Sequence, residues 1–211
     1  MSGIIYGLGV GPGDPELITL KAWRILRRAA VVAYPAPEER PSFARSIVAS
    51  FLSPAQIELP IRIPMEAARF PAQAVYDRAA EEIARHSAAG RDIAVLCQGD
   101  PFFYGSFMYL FARLAAAHRV VVVPGITSMA AGAAALGEPL VARNETLAVI
   151  PASLPDLEIE RRLAAADAVV LVKVGRHFAR IRALLSSMRA SPMPGFCRSM
   201  RSIRPRRRIS R

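Results

Sequence analysis

The chain has 211 residues, 53% hydrophobic and 21% charged, a length for one large or two small domains and the composition of a globular protein. No run approaches about 18 consecutive apolar residues, so a membrane-spanning helix is not expected, and the N-terminus passes straight into IIYGLGV, so no signal peptide is read. The net charge of +11 points to nucleic acid only at first sight, because eight of the 28 basic residues and none of the 17 acidic ones fall in 189–211, leaving about +3 for the rest.

GIIYGLGV (3–10) is the first predicted strand. Asp14 can cap a helix with Pro15 at its first position, and ELITLKAWRILRRA continues it with helical spacing. Trp23, with Leu20 and Leu26, is placed in the core. AVVAY (30–34) is a second strand, PAPEERP (35–41) a loop, SFARSIVASFL a helix and QIELPIRIP a strand. AQAVYDRAAEEIARHSAAG (72–90) is a strong helix ending at Gly90. DIAVLCQGD is a strand and a polar turn, YGSFMYLFARLAAA a helix, RVVVVPG a buried strand, and ITSMAAGAAALG a small-residue helix stopping at Gly137.

EPLVARN (138–144) reads as a linker. ETLAVIPAS and AVVLVKVG are then strands, alternating with the helices LEIERRLAAAD and RHFARIRALLSSM. Strands separated by helices imply right-handed crossovers and a mainly parallel sheet, hence an α/β fold. The expected division is an N-terminal α/β domain over 1–140, a partial one over 141–188 and a basic, disordered tail over 189–211. Two strands and two helices are few for a complete core.

Three loops follow strand ends, where open parallel sheets bind ligands: GLGVGPGD, QGDPFFYG and PGITS. The first looks like a phosphate cradle but lacks the pattern for one. Counting from Gly7 or Gly9, the third glycine of G-x-G-x-x-G falls on Pro12 or Asp14, and no Lys-Ser/Thr pair follows. Pro12 has no N–H to donate, and Asp14 puts negative charge at a helix start where phosphate would sit. With Asp100 added, the loops suit a ligand with hydroxyls and positive charge, such as an adenosine carrying a sulfonium and an amino group. Taken alone, GLGVGPGD is equally a tight strand-to-helix turn.

GLGVGPGDPELITLKAWRIL, AVVAY, GDPFFYGS, PGITSMAAGAAALGEPL and AAADAVVLVKVGRH, in this order and spacing, resemble the tetrapyrrole (corrin/porphyrin) methylase family over roughly residues 3 to 188. The resemblance implies two α/β domains with S-adenosylmethionine held between them, and a homodimer. It implies cofactor contacts at Pro12, Gly99, Asp100 (on the ribose hydroxyls), Phe103, Thr127, Ser128 and Val174. Within the family, AYPAPEERPSFARSI and LVKVGRH are most similar to the branch that methylates precorrin-2 at C20 in cobalamin synthesis. Pro35 stands where the uroporphyrinogen-III branch carries Asp. The implied substrate is precorrin-2 or cobalt-precorrin-2, whose carboxylates suit arginine forks; Arg143 and Arg176 are the candidates beside a reading as solvated surface charge.

Methyl transfer from a sulfonium to a ring carbon is an in-line displacement that mainly needs alignment, so no catalytic triad is expected and no base is named. Cys97 reads as a buried thiol, His177 as the start of the last helix, and Lys173 as a cation in an apolar strand. Cys97 and Cys197 give no disulfide framework and no CxxC spacing, the three histidines no metal set, and a reducing cytoplasm is the simplest compartment. Amino-acid usage changes abruptly after about Met188: only one alanine occurs in the last 23 residues. A frameshift or truncation is the expected origin, with a basic arm for nucleic acid as the alternative. The competing functions are an inactive remnant of a methylase and a methylase acting on another tetrapyrrole or on nucleic acid.

Overall fold

The structure is a computed structural model and describes residues 2–38, 40–63 and 72–190. The chain divides into two compact units, with the boundary between Gly137 and Glu138. In the first, five parallel strands run in the order β3-β2-β4-β1-β5: β1 (Ile5–Gly9), β2 (Val31–Pro37), β3 (Ile57–Ile63), β4 (Ile93–Cys97) and β5 (Val120–Val123). The helices of this unit are α1 (Leu20–Arg28), α2 (Phe43–Ile47), α3 (Ala72–Ala88), α4 (Phe107–Leu114) and α5 (Ser128–Leu136).

Strand alternation sorts the core into two layers. Leu8, Val32, Ala94 and Leu96 face α1 and α2, where they meet Ala22, Leu26, Ala44 and Ile47. Ile5, Val31, Ala33, Ile93 and Val95 face α3 and α4, where they meet Val75, Ile83, Phe107 and Leu110. The crossovers from β1 to β2 and from β2 to β3 run toward the β3 edge under α1 and α2. Those from β3 to β4 and from β4 to β5 return toward the other edge under α3 and α4. Right-handed crossovers require this division of faces. Its consequence is local: the neighbours β1 and β4 send their following loops to opposite faces, which opens a crevice at their carboxyl ends.

In the second unit β6 (Leu147–Pro151) and β7 (Ala168–Val172) pair in parallel. α6 (Asp156–Leu163) and α7 (Phe178–Ala190) bury Ile150, Ile159, Leu163, Ile181, Leu184 and Met188 against one face of that pair.

The α/β class and parallel sheet are as the strand-helix alternation predicts; several boundaries differ. Asp14 caps only a single 3-10 turn, Pro15–Leu17. Ile18 is extended, and Thr19 starts α1 afresh by accepting the Ala22 N–H at 3.2 Å. The restart sets the helix phase, so Ala22 and Leu26 enter the core while Leu20 is 70% exposed. Trp23 is half-buried beneath the Arg27 guanidinium, 5.1 Å from the ring centroid. β2 continues through Pro35 and Pro37, which the sequence places in a loop. Val31 donates toward the β4 side, to the Asp92 carbonyl, and alternation points the nitrogens of residues 35 and 37 the same way. Pairing with β4 stops at Ala33, so neither proline removes a ladder bond. β5, expected to be buried, is an edge strand with only Val123 fully buried.

Candidate functional site

The loops after β1, β4 and β5 are locked together through their backbones. The Val10 N–H donates to the Cys97 carbonyl at 2.9 Å, and the Gly99 N–H to the Gly11 carbonyl at 2.7 Å, an antiparallel bridge between the first two loops. Gly11 and Gly99 hold φ of +83° and +68°, a region in which glycine carries no Cβ penalty. Gly9 and Gly125 are needed for space. A Cβ on Gly125 would lie 2.1 Å from the Gly99 oxygen, and one on Gly9 would lie 2.5 Å from the Gly125 Cα and 2.7 Å from that same oxygen. The β4 and β5 loops therefore close over the end of β1 with backbone against backbone.

Asp100 completes the lock. One carboxylate oxygen accepts the N–H groups of Phe102 at 2.9 Å and Phe103 at 3.1 Å, which folds its own loop into a turn. The other accepts the Gly125 N–H at 3.0 Å, reaching the β5 loop. Farther along the β4 loop, Tyr104 takes φ of +54°, rare for a bulky residue. A Cβ on Gly105 would meet the Pro101 oxygen at 2.5 Å. The result is a tight aromatic corner: Phe103 stands edge-on to Tyr104 at 5.1 Å, and Phe102, 49% exposed, stands edge-on to Phe111 at 5.0 Å.

Of the residues expected at a cofactor site, the structure brings six together on these loops. Pro12 is half-buried between Gly11 and Gly13, and Gly99, Asp100 and half-buried Phe103 lie on the β4 loop. Thr127 is the N-terminal cap residue of α5 in extended conformation, with its hydroxyl not used for capping, and Ser128 is exposed in the first turn. Residues 10–14, 98–106 and 124–128 include Asp14 and Asp100 but no Lys, Arg or His. That set fits a neutral or cationic ligand and opposes a polyphosphate.

Two features of this region were not read from the sequence. Gly9 and Gly125 act through the crossing of loops, which only the strand order reveals; their one sequence mark is that each sits at or just beyond a strand end. Phe43, 53% exposed at the start of α2, places its ring tip 3.5 Å from where a Gly13 Cβ would be. Ser42 fixes this corner by donating to the Pro35 carbonyl at 2.6 Å while capping the Arg45 N–H at 3.3 Å. Cys97 closes β4 beneath the site, 4% exposed, and burial pushes its thiol up to about 12; it is an inert filler at neutral pH. Among the described residues no group of three or more His, Cys, Asp or Glu could hold a metal ion. Nor is any helix there long and apolar enough to cross a membrane.

The three remaining candidates belong to the second unit. Val174 follows β7 and packs, half-buried, against the core of that unit. Arg176 is exposed, and its Nε donates to His177 Nε2 at 3.3 Å. His177 closes a short 3-10 turn that leads into α7. Arg143 is exposed in the segment before β6, at φ of +50°, and Lys173 at the end of β7 has φ of +56°. Cys197 and the basic tail from residue 191 lie outside the described residues.

The family of Tetrapyrrole (Corrin/Porphyrin) Methylases matches residues 4–194. The chain is 45% identical over 193 residues to the cobalamin biosynthesis protein CobIJ of Mycobacterium tuberculosis; the match covers 88% of this chain but spans only 38% of that longer relative. It is 42% identical over 199 residues to the precorrin-2 C(20)-methyltransferase of a Sinorhizobium species, covering 89% of this chain and 81% of that protein. Among solved structures, the uroporphyrin-III C-methyl transferase of Thermus thermophilus complexed with S-adenyl homocysteine superposes with a TM-score of 0.61. It is 29% identical, and the match covers 87% of this chain and 72% of that one.

Proposed function

The chain belongs to the tetrapyrrole (corrin/porphyrin) methylase family, and we propose that it is an S-adenosylmethionine-dependent C-methyltransferase acting at C20 of precorrin-2 or its cobalt form. The observation that carries the reading is the fused set of three loops at the carboxyl ends of β4, β1 and β5, rich in glycine, bearing two acids and no cation. A donor with a sulfonium centre and ribose hydroxyls suits that chemistry. The substrate assignment rests on the likeness to the Sinorhizobium enzyme.

The cofactor supplies a methyl group already activated for displacement. The work left to this chain is to hold, orient and shield. Pro12, Gly99, Phe103, Thr127 and Ser128 are the proposed holding residues of the first unit, because their backbones are fixed before any ligand arrives. Such prior ordering lowers the cost of binding. Phe103 provides apolar cover that keeps water from the reacting carbon. From the second unit, Val174, whose side chain is half-buried against that unit's core, is the proposed apolar contact. Arg143 and Arg176 are the proposed partners of substrate carboxylates, by forked hydrogen bonds. A homodimer and a cytoplasmic location belong to the same proposal, and sedimentation velocity checks the first.

Calorimetry with S-adenosylhomocysteine is the primary test. Saturable one-site binding is expected, and its absence sinks the enzymatic reading. Incubation with precorrin-2 and S-adenosylmethionine should then give a product heavier by one methylene unit, seen by mass spectrometry. Methylation of uroporphyrinogen III supplied in place of precorrin-2, with precorrin-2 left unchanged, would move the chain to another branch of the family.

A further inference from the structure

Asp100 already spends most of its acceptor capacity on the main chain. A carboxylate offers about four acceptor positions. Three are taken here by main-chain N–H groups, two on Oδ1 from Phe102 and Phe103 and one on Oδ2 from Gly125. That leaves room for one further donor, whereas the two ribose hydroxyls would call for two. The contact to Gly125 is not a local turn: it joins loops 25 residues apart, across the end of β1, where Gly9 lacks a side chain that would collide with both.

We propose that Asp100 is a positioning residue, a staple whose carboxylate clamps the β4 loop to the β5 loop over β1. It thereby fixes the main chain that receives the cofactor, instead of holding the ribose itself. The proposal rests on the methyltransferase reading for its functional half only. The staple concerns the chain without ligand. Three N–H bonds to one ionised carboxylate are charge-assisted and stronger than neutral ones. They hold Gly99 through Phe103 against Pro124 through Thr127. Both segments carry proposed cofactor contacts, so loosening one bond shifts two walls at once.

The substitutions Asp100→Ser and Asp100→Asn separate the two roles. Each keeps an oxygen able to accept from Phe102 and Phe103, as short polar side chains do in such turns, and each loses the acceptor facing Gly125. Residue-resolved amide hydrogen exchange on the ligand-free chain is the first readout. Faster exchange at Gly125 is expected, with Phe102 and Phe103 unchanged; general destabilisation would raise all three together. The second readout is calorimetry with S-adenosylhomocysteine and with its 2′,3′-dideoxy analogue. A staple predicts that both ligands lose affinity by the same factor, about tenfold to a hundredfold, as for one lost hydrogen bond to a charged group. A loss confined to the hydroxylated ligand, or an unchanged Gly125 amide in both variants, overturns the proposal. If the parent chain binds neither ligand, the function reading fails, while the exchange result still decides the staple.

Discussion

At the scale of single residues, the glycine-rich loop answers the question its sequence raises. Four glycines within GLGVGPGD suggest a backbone approaching a phosphate, yet the closest approach is to protein. Gly9 lies under the Gly99 oxygen and the Gly125 Cα, at distances no Cβ tolerates. Gly9→Ala is expected to cost about 1–3 kcal/mol, the range for an overpacked interior. The same change should weaken S-adenosylhomocysteine binding, because the atoms that must yield are backbone atoms of the proposed site. Urea unfolding together with calorimetry checks both. Unaltered affinity at reduced stability would show that the crossing of loops is structural only. Gly132, with nothing within 4 Å of an added Cβ, is the control: Gly132→Ala in α5 should be neutral or slightly stabilising, since alanine is the better helix former.

At the scale of elements, the β3 edge of the sheet adds an ionic cluster to the apolar burial of Leu59 and Ile61. Glu58 on edge strand β3 accepts a fork from Arg45 of α2, at 2.6 and 2.7 Å, and the Tyr34 hydroxyl of β2 at 2.7 Å. The Arg45 bonds, then that of Tyr34, hold the Glu58 carboxyl down at about 2, against an ordinary value of 4.5. A depressed carboxylate contributes stability in full above its unfolded value, and the contribution is lost as pH falls from about 4.5 toward 2. Glu58→Gln should therefore be less stable than the parent at pH 7, and the gap should close between pH 4.5 and pH 2. With a third of the side chain open to solvent, screening limits the gap to about 1 kcal/mol. Urea midpoints at pH 7 and pH 3 measure it; a pH-independent gap would assign Glu58 to packing alone.

What the sequence made legible follows from the same physics. Apolar runs of strand length separated by helical periodicity specify the parallel sheet, because both of its faces must be covered. The halt of α5 was also readable, in Gly137 at φ of +68°. The extent of β2 was not, since whether a proline disturbs a strand depends on where the neighbouring strand ends. Nor was the restart at Thr19, where two capping residues five positions apart compete for one helix. Within the site, the loops were readable from their composition and their places after strands. The partners of Asp100 were not, because Gly125 becomes its neighbour only when β5 adds beside β1 and not beside β4.

For the whole molecule, the two units differ in the core that supports them. The first has two apolar layers of 16 and 14 buried residues on opposite faces of its sheet. The second has, among the described residues, one cluster of seven, on one face of a two-stranded sheet. Buried apolar area is the main favourable term in folding, and a two-stranded sheet is marginal without further support. The second unit should therefore unfold at the lower denaturant concentration. The single tryptophan, Trp23, lies in α1, so its fluorescence reports the first unit alone, whereas far-ultraviolet circular dichroism reports both. In urea, the circular dichroism signal should begin to fall before the Trp23 emission shifts, and two-state analysis of the two probes should give different midpoints. The early phase should be absent from a chain ending at Gly137, whose Trp23 transition should stay cooperative. Coincident transitions in the full chain would instead mean that the units fold as one body, with the small core of the second sustained by the first.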